Sequence, residues 1–194
     1  MNHRVKNSLA IVAAMLKLQA SDVNDRGLAV HLEEASRRVS AVARAHEKLF
    51  QGSEIEKLDV GKYIEALCKD LVETAGQCEV IATIEPGIET ATDRAVSAAL
   101  IVNELITNAC KYAYADRVGG KVWVSVTPAG GDSFHLSVRD EGVGLPKGLN
   151  PRTAKSLGMR IVNAFIEQLN GSMEVVRRNP GTEIVVTIPK QAAS

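Results

Sequence analysis

The stretch Asn103-Glu104-Leu105-Ile106-Thr107-Asn108-Ala109-Cys110-Lys111-Tyr112 constrains this chain more than any other. It continues an apolar helical pattern set by Val96, Ala99, Leu100 and Val102. On a helix, Glu104, Asn108 and Lys111 recur at i, i+4 and i+7 and share one face, while Val102, Leu105, Ile106 and Ala109 point elsewhere and can bury. A carboxylate, an amide and an ammonium in one stripe suit a metal-bridged polyphosphate. The amide carbonyl can ligate Mg²⁺, an ion that prefers oxygen ligands and keeps several of its waters. The ammonium can neutralise phosphate charge, and the carboxylate can accept a proton or polarise a nucleophile. The solvated face of an amphipathic helix explains the same stripe equally well, and the glycine motifs downstream decide between the two.

Bulk properties exclude several other classes. Lys+Arg 23 against Asp+Glu 23 gives a net charge of +0, which argues against nucleic acid or an anionic membrane as the main partner. An aromatic content of 4% leaves little for a base-stacking surface. With 194 residues, 45% of them hydrophobic and 24% charged, the chain has room for one or two globular domains. No signal peptide and no membrane-spanning apolar run is visible, so the expectation is a soluble cytoplasmic chain, whole or cut from a membrane receptor. Cys68, Cys78 and Cys110 are odd in number and lack metal spacing, and they read as reduced, partly buried thiols.

The first fifty residues carry two heptad-like seams, Val5, Leu9, Val12, Leu16 and then Leu28, Leu32, Ala35, Val39, Val42, His46, Leu49. The turn formers Ser21 to Asp25 separate them. Ile11, Met15 and Leu18 form a further apolar strip beside the first seam. Two helices alone cannot bury all of this; an antiparallel hairpin that dimerises into a four-helix bundle can. His3 lies two positions before Val5, roughly 160° from the seam, and so faces outward with Asn7 one turn on. It is either a solvated histidine near a frayed end or a nucleophile presented to a phosphoryl donor. His46 on the seam, His31 one position before it and His135 in a strand read as structural.

Phe50 to Glu54 ends the hairpin, with Gly52 as C-cap, which divides the chain into 1–52 and 53–194. Asp59 then caps a helix with the apolar face Ile64, Leu67, Leu71, Ala75, closed by Gly76. A strand follows over 79–84, and Thr92 or Asp93 starts the polar-striped helix. Strands over 122–127 and 134–139 make a hairpin around Pro128 to Asp132, and strands over 173–177 and 183–188 close the chain. About five strands and three helices imply an α/β two-layer sandwich, with the helices on one face of a mixed sheet. The strand-end carboxylate of Asp140-Glu141-Gly142-Val143-Gly144-Leu145-Pro146 can accept from the exocyclic amine of adenine, and its glycines let the backbone approach a base. Ser156-Leu157-Gly158 opens a helix whose free N–H groups suit phosphate, whereas no GxxxxGK[ST] loop occurs. Lys147, Arg152 and Lys155 between these motifs can reach phosphates, although solvated loop charge is the simpler reading of each.

These residues resemble a family. "HRVKNSLAIVAAMLKLQ" is similar to the phosphoacceptor box of sensor histidine kinases of the second HisKA type, related to the HWE kinases. "NELITNACKYAY" resembles their N-box, "DEGVGLP" their G1 box, and "SLGMRIVNAFIEQLNGSMEV" with "PGTEIVVTIP" their G2 region and closing strands. The resemblance implies an α+β chain: a dimerisation and histidine phosphoacceptor hairpin, then a Bergerat-type GHKL sandwich that binds ATP and Mg²⁺. It implies that His3 receives the γ-phosphoryl group and that Asn108 binds the metal. Lys111 and Tyr112 would approach the nucleotide, Asp140 would contact the adenine amine with Thr182 beside it, Gly142 and Gly144 would shape the pocket floor, and Gly158 would receive phosphates. The segment from about Leu145 to Leu157 would be the lid.

The commoner histidine kinases carry an acidic residue directly after the phosphoacceptor, where Arg4 stands here; Glu104 is therefore assigned the task of polarising the imidazole. Asn7 suits two readings equally, positioning a water for dephosphorylating the partner or lying solvated on the helix. Implied partners are a response-regulator receiver domain, a second copy of the chain and an N-terminal sensory domain, with no nucleic acid and no membrane contact by this chain. The alternatives are a non-catalytic phosphotransfer adaptor with a degenerate ATP domain, or a serine kinase or ATPase of the same fold.

Overall fold

The computed structural model describes residues 2–23, 25–49, 57–75, 78–115, 119–146, 148–154 and 156–191. The chain forms two compact units, Met1–Ile55 and Glu56–Ser194.

The first unit is a pair of helices packed on each other, α1 (Asn2–Asp22) and α2 (Arg26–Leu49). Asp25 starts α2: its Oδ1 accepts from the backbone N–H groups of Gly27 at 2.8 Å and Leu28 at 3.2 Å, satisfying donors that the first turn would otherwise leave open. The line of contact differs in part from the expected seam. Among the described residues Ala13, Ala20 and Ala43 are buried, the seam residues Leu9, Leu16, Leu32 and Val39 are half-buried, and Val12 and Leu28 are exposed. Ser36 Oγ donates to the carbonyl of Ala13 at 2.8 Å, so the helices meet where small side chains let the backbones approach. His31, beside the expected seam, is exposed. The flanking strip survives as expected: Ile11, Met15 and Leu18 are 57%, 59% and 64% exposed, apolar surface that this hairpin does not cover itself.

The second unit is a five-stranded sheet in the order β2-β4-β5-β7-β6. The strands are β2 (Cys78–Ile84), β4 (Gly120–Ala129), β5 (Ser133–Asp140), β6 (Ser172–Arg177) and β7 (Thr182–Pro189). Among the described strands only β2 and β4 run parallel, because α4 (Thr92–Asn108) crosses between them. Alternation along β4 and β5 buries Val122, Val124, Val126, Phe134, Leu136 and Val138. The opposite face carries Trp123 with the Arg139 guanidinium 5.2 Å from its ring centroid. The buried faces of α3 (Val60–Ala75), α4 and α5 (Leu157–Gln168) complete the core with Ile64, Leu67, Val102, Leu105, Val162 and Ile166.

A second, two-stranded sheet was absent from the sequence expectation: β1 (Lys57–Asp59) pairs antiparallel with β3 (Glu89–Ala91), Leu58 opposite Thr90. Three residues hold too little periodicity to announce a strand. Asp59 does cap α3, its Oδ1 accepting from Gly61 N at 2.9 Å and Lys62 N at 3.3 Å. Gly52 and Gly76, expected as helix ends, lie outside the described residues. Arg94, buried at the start of α4, donates from Nη2 to the carbonyls of Leu169 at 2.9 Å and Pro189 at 2.6 Å, which fixes that helix to the ends of α5 and β7.

Candidate nucleotide-binding site

The polar stripe of α4 meets the first turn of α5. Glu104 is only 2% exposed, and a Cβ on Gly158 would stand 2.6 Å from its Oε2 and 3.7 Å from Asn108 Oδ1. Glycine is what lets α5 approach these two side chains so closely. The half-buried Asn108 donates from Nδ2 to Met159 Sδ at 3.5 Å. Ser156 precedes α5 without a side-chain capping bond, so the open donors of the first turn are not taken up by it.

Beyond Asn108 the helix changes character. Ala109–Ala113 form a π-turn, in which each residue advances the chain by a smaller angle than in an α-helix. Glu104 and Asn108 lie on the regular helix, whereas Lys111 lies in this π-turn. Lys111 and Tyr112 are both exposed, with the Lys111 ammonium 5.6 Å from the Tyr112 ring centroid.

The same turn carries the second half of the site. Ala113 offers its carbonyl to the N–H of Val143 at 3.0 Å, and a Cβ on Gly142 would run into that carbonyl. Gly144 takes φ +72°, a conformation that favours glycine. Asp140, 8% exposed at the end of β5, accepts from the backbone N–H of Gly142 at 2.9 Å. Burial pushes its carboxyl above the usual range, opposed by hydrogen bonds from the Gly142 and Thr182 backbones. Thr182 is itself buried at the start of β7. Tyr114, which sequence reasoning passed over, joins the two halves: its hydroxyl donates to the carbonyl of Lys121 at 2.6 Å and accepts from the N–H of Glu141 at 2.9 Å.

The segment expected as a lid includes a short 3₁₀ turn at Pro151–Thr153, capped by Asn150 Oδ1 accepting from Arg152 N at 3.0 Å. Arg152 is exposed, in keeping with a solvated loop charge, and its guanidinium also donates to the carbonyl of Met173. Lys147 and Lys155 lie outside the described residues, as do the side chains of His3, Asn7 and His46. His135 is structural as expected, its Nδ1 3.0 Å from Thr187 Oγ1 on the neighbouring strand.

The cysteine reading needs correction. Cys78 and Cys110 are joined as a disulfide, with Cα atoms 5.7 Å apart, across 32 residues of sequence. Only Cys68 is free among the described residues; burial, with Glu65 adding to it, pushes its thiol up to about 12.

Comparison with known proteins gives this geometry its family. Residues 1–75 match the HisKA_2 family model, described as histidine kinase. Residues 93–192 match the HATPase_c model, described as histidine kinase-, DNA gyrase B-, and HSP90-like ATPase. Blue-light-activated histidine kinase 2 of Erythrobacter litoralis is 26% identical over 96% of this chain and 55% of its own length. The sensor histidine kinase PdtaS of Mycobacterium tuberculosis is 30% identical over 97% of this chain and 38% of its own length. The chain thus spans about half or less of the length of these relatives. In fold it resembles the histidine kinase domain of the Erythrobacter litoralis EL346 blue-light activated histidine kinase, with a TM-score of 0.75 and 23% identity over 97% of this chain and 94% of that one. A HisKA_2 segment followed by a histidine kinase-, DNA gyrase B-, and HSP90-like ATPase segment, matched in order along one chain, makes this protein a member of the histidine kinase family.

Proposed function

We propose that the chain is the core of a two-component signalling kinase, divided near residue 52, that moves the γ-phosphoryl group of ATP to His3 and then to an aspartate of a response-regulator receiver domain. A neutral imidazole nitrogen attacks the γ-phosphorus in line, the N–P bond forming as the bond to the β,γ-bridging oxygen breaks and ADP leaves. Positioning and charge neutralisation dominate such a transfer, because little other covalent work falls to the protein.

Asp140 accepts from the adenine amine, on a floor shaped by Gly142 and Gly144 and supported by Thr182. The first turn of α5 at Gly158 receives phosphates, and Lys111 and Tyr112 approach the nucleotide from the π-turn. With its Nδ2 engaged by Met159, Asn108 has Oδ1 for Mg²⁺. No group of three His, Cys, Asp or Glu suited to a metal occurs among the described residues. Mg²⁺ would arrive on the triphosphate, with Asn108 as its ligand from the protein. Glu104 polarises the imidazole; since Gly158 covers its carboxylate in this arrangement, the first turn of α5 must lift for that role.

The observation that carries the reading is the link between Asn108 and Asp140: the π-turn after one holds the loop after the other through Ala113 and Tyr114. The exposed strip Ile11, Met15, Leu18 supports pairing of the hairpin with a second copy. No helix of the described residues is long and apolar enough to cross a membrane, and we place the core in the cytoplasm with a sensory domain N-terminal to it. Incubation with γ-labelled ATP should label the chain with acid-labile, base-stable phosphate. A His3→Ala chain that labels equally would overturn the assignment.

A further inference from the structure

We propose that Arg177 is a positioning residue that fastens the lid to the edge of the sheet and so sets how firmly ATP is retained. The inference rests on reading the segment from about Leu145 to Leu157 as the lid over the nucleotide.

Strand β6 is one of the two edge strands of the sheet, and Arg177 is its last residue. Its Nη1 donates to the carbonyl of Leu145 at 2.7 Å, and its Nη2 reaches the carbonyls of Pro146 at 3.2 Å and Leu149 at 3.4 Å. One planar fork thus gathers three backbone acceptors from a stretch that belongs to neither helix nor strand. A lysine ammonium, a compact point charge, cannot span them in the same way. Near the other end of β6, the carbonyl of Met173 accepts from the guanidinium of Arg152 within the lid. Asn163 of α5 holds the neighbouring carbonyls of Pro151 at 3.2 Å and Arg152 at 3.1 Å. Among the described residues the lid is therefore held to this edge strand at its start, through Arg177, and at its middle, through Arg152.

The Arg177 tie also shares a frame with the adenine end of the site. Arg177 stands opposite Thr182 in the β6–β7 register, and the Thr182 backbone hydrogen-bonds to Asp140. Removing the fork leaves the carboxylate in place but frees the first half of the lid, so nucleotide binding must then supply the ordering that Arg177 supplies beforehand.

The test compares Arg177→Ala and Arg177→Lys with the unaltered chain. Trypsin reads the lid directly, because Lys147, Arg152 and Lys155 are cleavage points within it. Arg177→Ala is expected to speed cleavage there and to weaken ATP binding by about 3- to 10-fold, the scale of one partly solvated charge-assisted set of bonds. Labelling of His3 at saturating ATP should be unchanged, and Arg177→Lys should fall between the two. Unaltered lid cleavage and unaltered ATP affinity in Arg177→Ala would overturn the proposal. If the unaltered chain binds no ATP, the nucleotide reading itself fails, while the cleavage rates still decide whether Arg177 holds this segment.

Discussion

Tyr114→Phe tests how the two halves of the site are held in register. The substitution keeps the ring and creates no cavity, so its effect isolates one hydroxyl. That hydroxyl makes two hydrogen bonds, to the Lys121 carbonyl at 2.6 Å and from the Glu141 N–H at 2.9 Å, in a residue that is itself buried. At about 1 kcal/mol net for each, with two backbone groups left behind, the loss comes to roughly 2 kcal/mol. For a unit the size of Glu56–Ser194, each kcal/mol moves Tm by about 3 °C, so a fall of about 6 °C is expected by calorimetry or circular dichroism. Because Glu141 follows Asp140 directly, ATP affinity measured by isothermal titration should weaken as well. A Tm within about 1 °C of the parent, with ATP affinity unchanged, would refute the reasoning that Tyr114 locks this corner.

Three further outcomes follow from the site. Because burial raises the Asp140 carboxyl, its ionised form opposes folding of the empty site, and that penalty disappears as pH falls through the raised value. ATP affinity should move the other way, dropping as Asp140 takes up a proton at a pH above the usual carboxylate range. Titrations across pH on the parent and on Asp140→Asn, which should lack this dependence, check both signs. Glu104→Gln should leave ATP binding largely intact and slow autophosphorylation by about 10²–10⁴-fold; a rate within a factor of two of the parent removes Glu104 from the chemistry. Thiol titration in denaturant without reductant should find Cys68 alone, and reductant should release Cys78 and Cys110; three reactive thiols from the start would contradict the pairing.

Several elements of this protein were legible because they are written in local periodicity and local chemistry. The spacing of Glu104 and Asn108 put them on one helical face, and they stand together under Gly158. Alternation marked β4 and β5, and the carboxylate expected at the strand end is Asp140 at the last position of β5. Asp59 capped its helix as its type and place suggest. The apolar strip Ile11, Met15, Leu18 could be recognised as surplus to a single hairpin from spacing alone.

Tertiary structure decided the rest, wherever the deciding contact joins residues far apart in sequence. The π-turn that carries Lys111 was not announced by spacing; it lies where Ala113 must present a carbonyl to Val143, thirty residues on. Among the described residues the hairpin buries Ala13, Ala20 and Ala43 more deeply than the apolar seam beside them, because backbone approach sets that contact as much as hydrophobicity does. Cys78 meets Cys110, Tyr114 reaches Glu141, and Arg177 gathers Leu145, Pro146 and Leu149; nothing in the flanking residues of any of them marks the partner. Periodicity tells which way a side chain faces within its own element. Which backbone group it finds there depends on how the elements are stacked, and only the folded chain fixes that.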